Sequence, residues 1–355
     1  MVSGNAALTD LCFGQTLATV GSANRGCIAL VLTAALTACG GSDSGPSWQL
    51  VASKMPNAVM SVWGTSASDV FLVGADQRDG HGPFAAHFDG AAWTRLDTGV
   101  ASGNLWWVFG FPGGGPVYMG GDGGTILRYQ SGSFVHMATP GIGTVFGIWG
   151  ASNSDLWAVG GDPGGQAGGF AWRLQGGDTW TAAPSFPADL PMTDAIWKMY
   201  GRSASDAWMV GTRGKALHWD GSALLLASTG AGESLFTVHA DQDGFVAVGG
   251  TGTAVIVENT GSGWQNASPS GAEPLVGVCL SAQVGYAVGQ DGAVFTRTAT
   301  TWSKVHTGLT IDESFHAVWI EPTGGVWAVG GQVSTPPYNN GIVVHLGQQE
   351  VPEGL

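Results

Sequence analysis

The apolar positions of this chain fall in short runs separated by glycine-rich or polar turns, and one phrase of that pattern recurs. It reads VWGTSASDVFLVG at 62–74, IWGASNSDLWAVG at 148–160 and MYGRSASDAWMVG at 199–211, with looser copies at 108–120, 238–249, 278–289 and 318–330. The copies close on Gly74, Gly120, Gly160, Gly211, Gly249, Gly289 and Gly330, spaced by 38 to 51 residues. A period of that length built from strand-sized runs marks a β-propeller, one blade per repeat. Each unit divides into four strands. The first ends in Val-Trp-Gly or a relative, and the second is the D-V-W-A-V-G phrase. The third follows a glycine-rich turn, as in AAHFDG (85–90), ALHWDG (216–221) and IVVHLG (342–347). The fourth begins at Trp93, Phe134, Trp180, Leu224, Trp264 or Trp302. Near-continuous apolar runs such as FLVG, in place of strict alternation, fit strands buried on both faces between neighbouring blades.

The seventh unit has no fourth strand after its third, whereas a strand-like SWQLVAS (47–53) stands ahead of the first unit. The pattern therefore predicts an all-β fold over 47–347. It is a seven-bladed β-propeller of four-stranded antiparallel blades, with the N-terminal strand closing the last blade and removing an open sheet edge. Residues 348–355 follow as a C-terminal tail.

Composition supports this and narrows the partners. Of 355 residues, 60 are glycine and 16 tryptophan, while 11% are charged. Such a chain has apolar surface to bury and turns to make, and is not disordered. The net charge is −14, and the 12 Lys and Arg form no cluster. A nucleic-acid binder needs a basic stripe, so no nucleic-acid partner is expected. Cys12, Cys27, Cys39 and Cys279 match no zinc spacing. No cofactor or metal is expected.

The N-terminus reads as an address. Arg25 precedes a ten-residue apolar run, CIALVLTAAL (27–36), too short to span a bilayer and apt for a secretory signal peptide. The run leads into Leu36-Thr37-Ala38-Cys39-Gly40, which resembles the bacterial lipobox. That resemblance implies a signal peptide over 1–38, lipid on Cys39 and a flexible tether over 39–46. Residues 1–24 carry Asp10 ahead of the first base, which points to translation starting near Val20.

Several motifs invite chemistry and are better read as turns. Gly64-Thr65-Ser66-Ala67-Ser68 approaches a nucleophile elbow but lacks the closing glycine, and it recurs at 150–154 and 201–205. A catalytic serine is needed once and a turn in every blade. Ser66, Ser152 and Ser203, with Asp69, Asp155 and Asp206, are therefore expected to hydrogen-bond the backbone of the turn. No G-K-[ST] follows the glycine runs at 120–124 and 160–169, so they are turns and not phosphate cradles. His87, His218 and His345 share one third-strand position in three blades and cannot converge on one metal. Asp241-Gln242-Asp243-Gly244 opens like a calcium loop but lacks its closing glutamate. Trp106 and Trp107 are adjacent on a strand and point to opposite faces, so one is a candidate for exposed stacking.

Three loops between second and third strands are longer than the rest: 75–84, 161–170 and 331–341. The first and third belong to blades that become neighbours when the ring closes. Asp76, Arg78, Asp79 and His81 would then lie near Tyr338, Asn339 and Asn340, a candidate binding surface on long loops.

The phrases WMVGTRGKALHWDG (208–221) and YAVGQDGAVFTRTATTW (286–302) resemble the repeat of the photosystem II assembly/stability-factor-like propellers, related to the BNR or Asp-box repeats. The resemblance covers about residues 47–347, and GGDTW (176–180) is a fragment of an Asp-box. The paired glycines at 249–250 and 330–331 are shared with Kelch propellers. The resemblance implies the fold and does not by itself fix an activity. Taken with the lipobox, it leads to an expectation of a lipid-anchored protein of the bacterial cell envelope, sorted to the outer membrane. There it would act as a binding or assembly scaffold for a protein or glycan partner. The alternative is a carbohydrate-active enzyme of propeller type, a glycosidase or lyase, although no acid–base pair stands at recognisable spacing.

Overall fold

In the computed structural model, which describes residues 45–162, 168–188, 190, 195–348, 351–352 and 354–355, seven four-stranded antiparallel sheets follow one another around a ring. Expectations for residues 1–44, including the signal peptide and Cys39, lie outside the described residues. Six sheets are consecutive in the chain, and the seventh is built from both ends of it. Its order from the axis outward is Phe315–Ile320, Val326–Gln332, Asn339–Gly347 and then Ser47–Met55 from the other end of the chain. Ser47 pairs with Gly347, Leu50 with Val344 and Met55 with Gly341. The closure read from SWQLVAS is present and runs two residues further. Of the fourth strands, Trp93–Arg95, Leu224–Ser228 and Trp264–Asn266 begin on the expected residues, and Ser133–His136, Thr181–Ala182 and Thr301–Lys304 begin one residue away from Phe134, Trp180 and Trp302.

The innermost strands are Val59–Ser66, Leu105–Phe109, Thr144–Ser152, Ile196–Ser203, Leu235–Ala240, Leu275–Leu280 and Phe315–Ile320. Each lies beside the inner strands of both neighbouring blades, so they enclose an axial channel. All run in the same direction. The turns between first and second strands, and between third and fourth, therefore share one end of the channel (the turn face). The second-to-third loops and the blade-to-blade connections share the other (the loop face).

Seven hydrophobic clusters occupy the seven blade interfaces. Phe71, Val73 and Ala85 of blade 1 pack on Leu105, Met119 and Leu127 of blade 2, and the pattern repeats around to Trp319, Trp327 and Val343 of blade 7 against Val59, Val62 and Phe88 of blade 1. A strand sandwiched in this way is buried on both faces, which is why the second strands read as unbroken apolar runs. Val351 and Leu355 in the tail pack against the blade 7–blade 1 cluster. The G-x-x-G rhythm also has a local cause. Gly121–Gly124, Gly211–Gly214 and Gly289–Gly292 each form a tight turn whose last glycine has φ of +73°, +68° and +66°. An L side chain is strained in that left-handed region, so glycine recurs there. Among the described residues no helix is long and apolar enough to cross a membrane.

Candidate functional site

On the turn face the repeated serines and acids divide their labour. Ser66, Ser152 and Ser203 each accept a hydrogen bond from the backbone N–H two residues on, at 3.3 Å. The carboxylates do not bind the turn backbone as expected and reach across to the third strand instead. Asp69 meets His87 at 2.7 Å, Asp206 meets His218 at 2.9 Å, and Asp155 takes Arg173 Nε at 2.8 Å. Each cationic or imidazole group also stacks on the second-strand aromatic: His87 on Phe71 at 4.2 Å, His218 on Trp208 at 4.7 Å, and Arg173 over Trp157 at 4.8 Å. His345 lies against Trp327 at 4.4 Å and meets Glu321 at 2.9 Å. The three histidines thus lock three separate blades. Asp241 Oδ1 accepts the N–H groups of Asp243 and Gly244, an Asx turn. Among the described residues no group of three or more His, Cys, Asp or Glu is placed to hold a metal.

The loop-face candidates fall in two places. Asp76 ends the second strand of blade 1 and is buried. Its carboxylate accepts the N–H of Arg78 at 2.7 Å and of Gly103 at 3.0 Å, which ties blade 1 to blade 2. Arg78, held at φ +60°, Asp79 and His81 are exposed. Asp79 and His81 line a groove of about 620 Å³ with Arg95 and Asp97, toward blade 2. Tyr338 turns the other way, inward, against Trp106 at 5.7 Å. Its carbonyl accepts Gln77 Nε2 at 2.7 Å, and this is the link between the two loops. Asn339 and Asn340 begin the third strand of blade 7, and Asn340 lines a different groove beside Asp312, Glu313 and His316. Of the candidates, Asp79 and His81 thus line one groove and Asn340 another.

The channel itself was not legible as a site. At its turn-face mouth lies a cavity of about 460 Å³ that takes lining residues from every blade. One position of the inner strand supplies the collar: Trp63, Phe109, Trp149, Tyr200, His239, Cys279 and Trp319. The residue after it controls the fit. A Cβ on Gly201 would come within 2.6 Å of the Trp149 ring, and one on Gly64 within 2.9 Å of Trp319. Gly64, Gly110 and Gly201, each following a collar residue, thus seat Trp319, Trp63 and Trp149 of the preceding blade, while Gly150 faces Phe111; this close approach is the physical reason for a glycine after the collar residue. Where the following blade carries Ala240, Leu280 or Ile320 in place of glycine, the collar residue is Tyr200, His239 or Cys279 and not tryptophan.

The titratable groups of the collar are held neutral. His239 stacks on Tyr200 at 3.8 Å and accepts the Leu280 N–H at Nδ1, at 3.2 Å. Its Nε2 faces Cys279 Sγ at 3.8 Å. Burial pushes His239 down to about 4, raises Cys279 to about 12, and raises Tyr200 as well. At neutral pH the imidazole is unprotonated and the thiol and phenol are protonated. The mouth offers stacking surface and neutral donors, without a thiolate nucleophile.

Trp106 and Trp107 are both half-buried. Trp107 donates from Nε1 to Ile148 O at 2.9 Å and receives Lys198 Nζ over its ring at 4.4 Å. Lys198 donates to Phe146 O at 2.5 Å, and burial lowers it to about 7. Trp106 donates to Asp122 at 2.7 Å and belongs to the loop-face mouth.

No protein-family profile and no curated protein sequence matches the chain. Solved structures do match it, as a fold. The structure of YCF48 bound to D1 peptide superposes with a TM-score of 0.62 at 14% identity, covering 86% of this chain and 100% of that one. YCF48 from Cyanidioschyzon merolae gives 0.62 at 11%, covering 86% and 100%. The RRP9 WD40 repeats give 0.67 at 12%, covering 85% and 98%. The chain is a seven-bladed β-propeller with an axial channel, of the same architecture as these propellers. One of those structures is of YCF48 bound to D1 peptide.

Proposed function

We propose that this protein is a binding or assembly scaffold of the bacterial cell envelope, held by lipid on Cys39, and that it takes a segment of a protein partner at the turn-face mouth. The observation that carries this reading is the collar cavity. It draws on all seven blades, is walled by aromatic rings, and has its imidazole, thiol and phenol held in their neutral forms. Such a mouth is built to bury an apolar side chain and not to move protons. The peptide held by YCF48, a propeller of the same fold, supports a protein partner. The lipobox-like Leu36-Thr37-Ala38-Cys39 supports the anchor, and Gly40 in place of aspartate supports the outer membrane.

The test is site-specific photo-crosslinking in intact cells. A photoreactive residue at the exposed rim position Pro112 is expected to give a protein adduct, and the same residue at Leu225 on the outer edge is not. Equal adducts from both positions, or none from Pro112, would overturn the placement. Palmitate labelling is expected to vanish in Cys39→Ala, and labelling that persists rules out the anchor.

A further inference from the structure

The opposite mouth of the channel carries a second surface. There the residue after the inner-strand partner of Gly121, Gly160, Gly211 or Gly249 faces the loop end, and in consecutive blades these are Trp106, Phe146, Trp197 and Phe236. Their rings follow one another at 5.5, 4.8 and 5.8 Å, an aromatic arc across four blades that Tyr338 extends at its start. Trp106, Trp197 and Phe236 are only half-buried. The same strand position continues as Val276 and His316, which form the floor of a groove of about 380 Å³ between blades 6 and 7. Asp312 and Glu313 also line it, with Gln332, Ser334 and Asn340. Among the described residues neither acid enters an ion pair, unlike Asp155, Asp206, Asp241 and Glu258, which all do.

We infer that this loop-face mouth is a docking surface for a basic, lysine- or arginine-bearing segment of a partner protein. The inference rests on the scaffold reading and gives the disc a second, chemically distinct contact. Charge complementarity selects the occupant. Two unpaired carboxylates border a groove over Val276 and His316, the strand position that continues the aromatic arc, on a chain of net charge −14. A long basic side chain lays its apolar stem on rings and keeps its charge near acids. The bases that face the floor leave room for it. Lys198 is engaged by Phe146 O and the Trp107 ring, and burial holds His316 down at about 4, neutral at physiological pH.

The experiment is fluorescence anisotropy with the detergent-solubilised full chain. The probe is a fluorescein-labelled alternating lysine–alanine peptide, with a glutamate–alanine peptide of the same length beside it. The lysine peptide is expected to bind, more weakly as salt rises, and the glutamate peptide is not. The double variant D312N/E313Q is expected to weaken binding about fivefold with an unchanged melting temperature. The matched-charge variant D89N/D220N, on exposed turns of the other face, is expected to bind as the parent does. Indifference to peptide charge, unchanged affinity in D312N/E313Q, or an equal loss in D89N/D220N would each overturn the inference. The crosslinking at Pro112 reports on the opposite mouth, so either result can fail without the other.

Discussion

The six-membered ring of the Trp149 indole lies over the α-carbon of Gly201, so close that a methyl group there would stand 2.6 Å from the ring. One tryptophan thus requires the absence of a side chain in the next blade. Gly201→Ala is expected to destabilise the fold by about 1–3 kcal/mol, the usual cost of overpacking a closed core. Gly64→Ala would meet the Asp69 carbonyl oxygen as well as Trp319 at 2.9 Å, and should cost at least as much. Urea denaturation of the two variants checks this. Midpoints equal to the parent's would mean that the collar rings move freely aside.

The ring is closed by Ser47–Met55, and Val51 and Met55 of that strand are buried in the blade 7–blade 1 core. Removing the strand exposes the edge of Asn339–Gly347 and opens that core. A chain lacking residues 47–55 is expected to melt far below the parent or to fail to fold. Val51→Asp, which keeps the strand but buries a charge, should cost about 3 kcal/mol or more. Thermal unfolding followed by circular dichroism distinguishes these outcomes from a closure that contributes nothing.

The blade count was legible because the repeat leaves two independent marks, the closing glycines and the displaced strand. The loops were read less well. Asp76 and Asn339 stood among turn residues, yet each belongs to a strand, because pairing with Pro83 and with Gln332 carries the sheet past the glycine. Asp69, Asp155 and Asp206 looked like turn caps, and their real partners lie 12 to 18 residues away on the third strand. Sequence spacing does not report which rotamer a carboxylate takes. The collar was hidden for another reason. Tryptophans at a repeated position read as inter-blade core, and only the closed ring shows that they also face a common axis.

Arg297 is enclosed between blades 5 and 6 and answers two acids. Nη1 donates to Asp241 at 3.0 Å and Nη2 to Glu258 at 3.2 Å, while Trp302 also donates to Glu258 at 2.8 Å. All three charged side chains are about a tenth exposed. Arg297→Met would leave two buried carboxylates without their cation, at a cost of about 3–5 kcal/mol. Asp241→Asn keeps a hydrogen-bond acceptor and removes one charge, so its cost should be smaller. Chemical denaturation of both variants tests this order, and equal destabilisation would contradict it.

Three bases inside the ring set the pH dependence. Burial lowers His239 and His316 from an ordinary 6.5 to about 4. Between those values the unfolded chain binds protons that the folded chain refuses, so stability falls as pH drops from 6.5 toward 4 and levels off below. Lys198 obeys the same sign in a higher window. It is lowered by burial from 10.5 to about 7, so stability also falls as pH drops from 10.5 to 7, with no further loss from this group below that. Lys198→Met removes the desolvated ammonium and is expected to raise the urea midpoint at pH 7 and flatten the alkaline window. His239→Asn retains an acceptor for the Leu280 N–H and should flatten only the acidic window. Urea midpoints across both windows separate the two contributions. An alkaline slope that survives in Lys198→Met would show that the channel lysine is not its source.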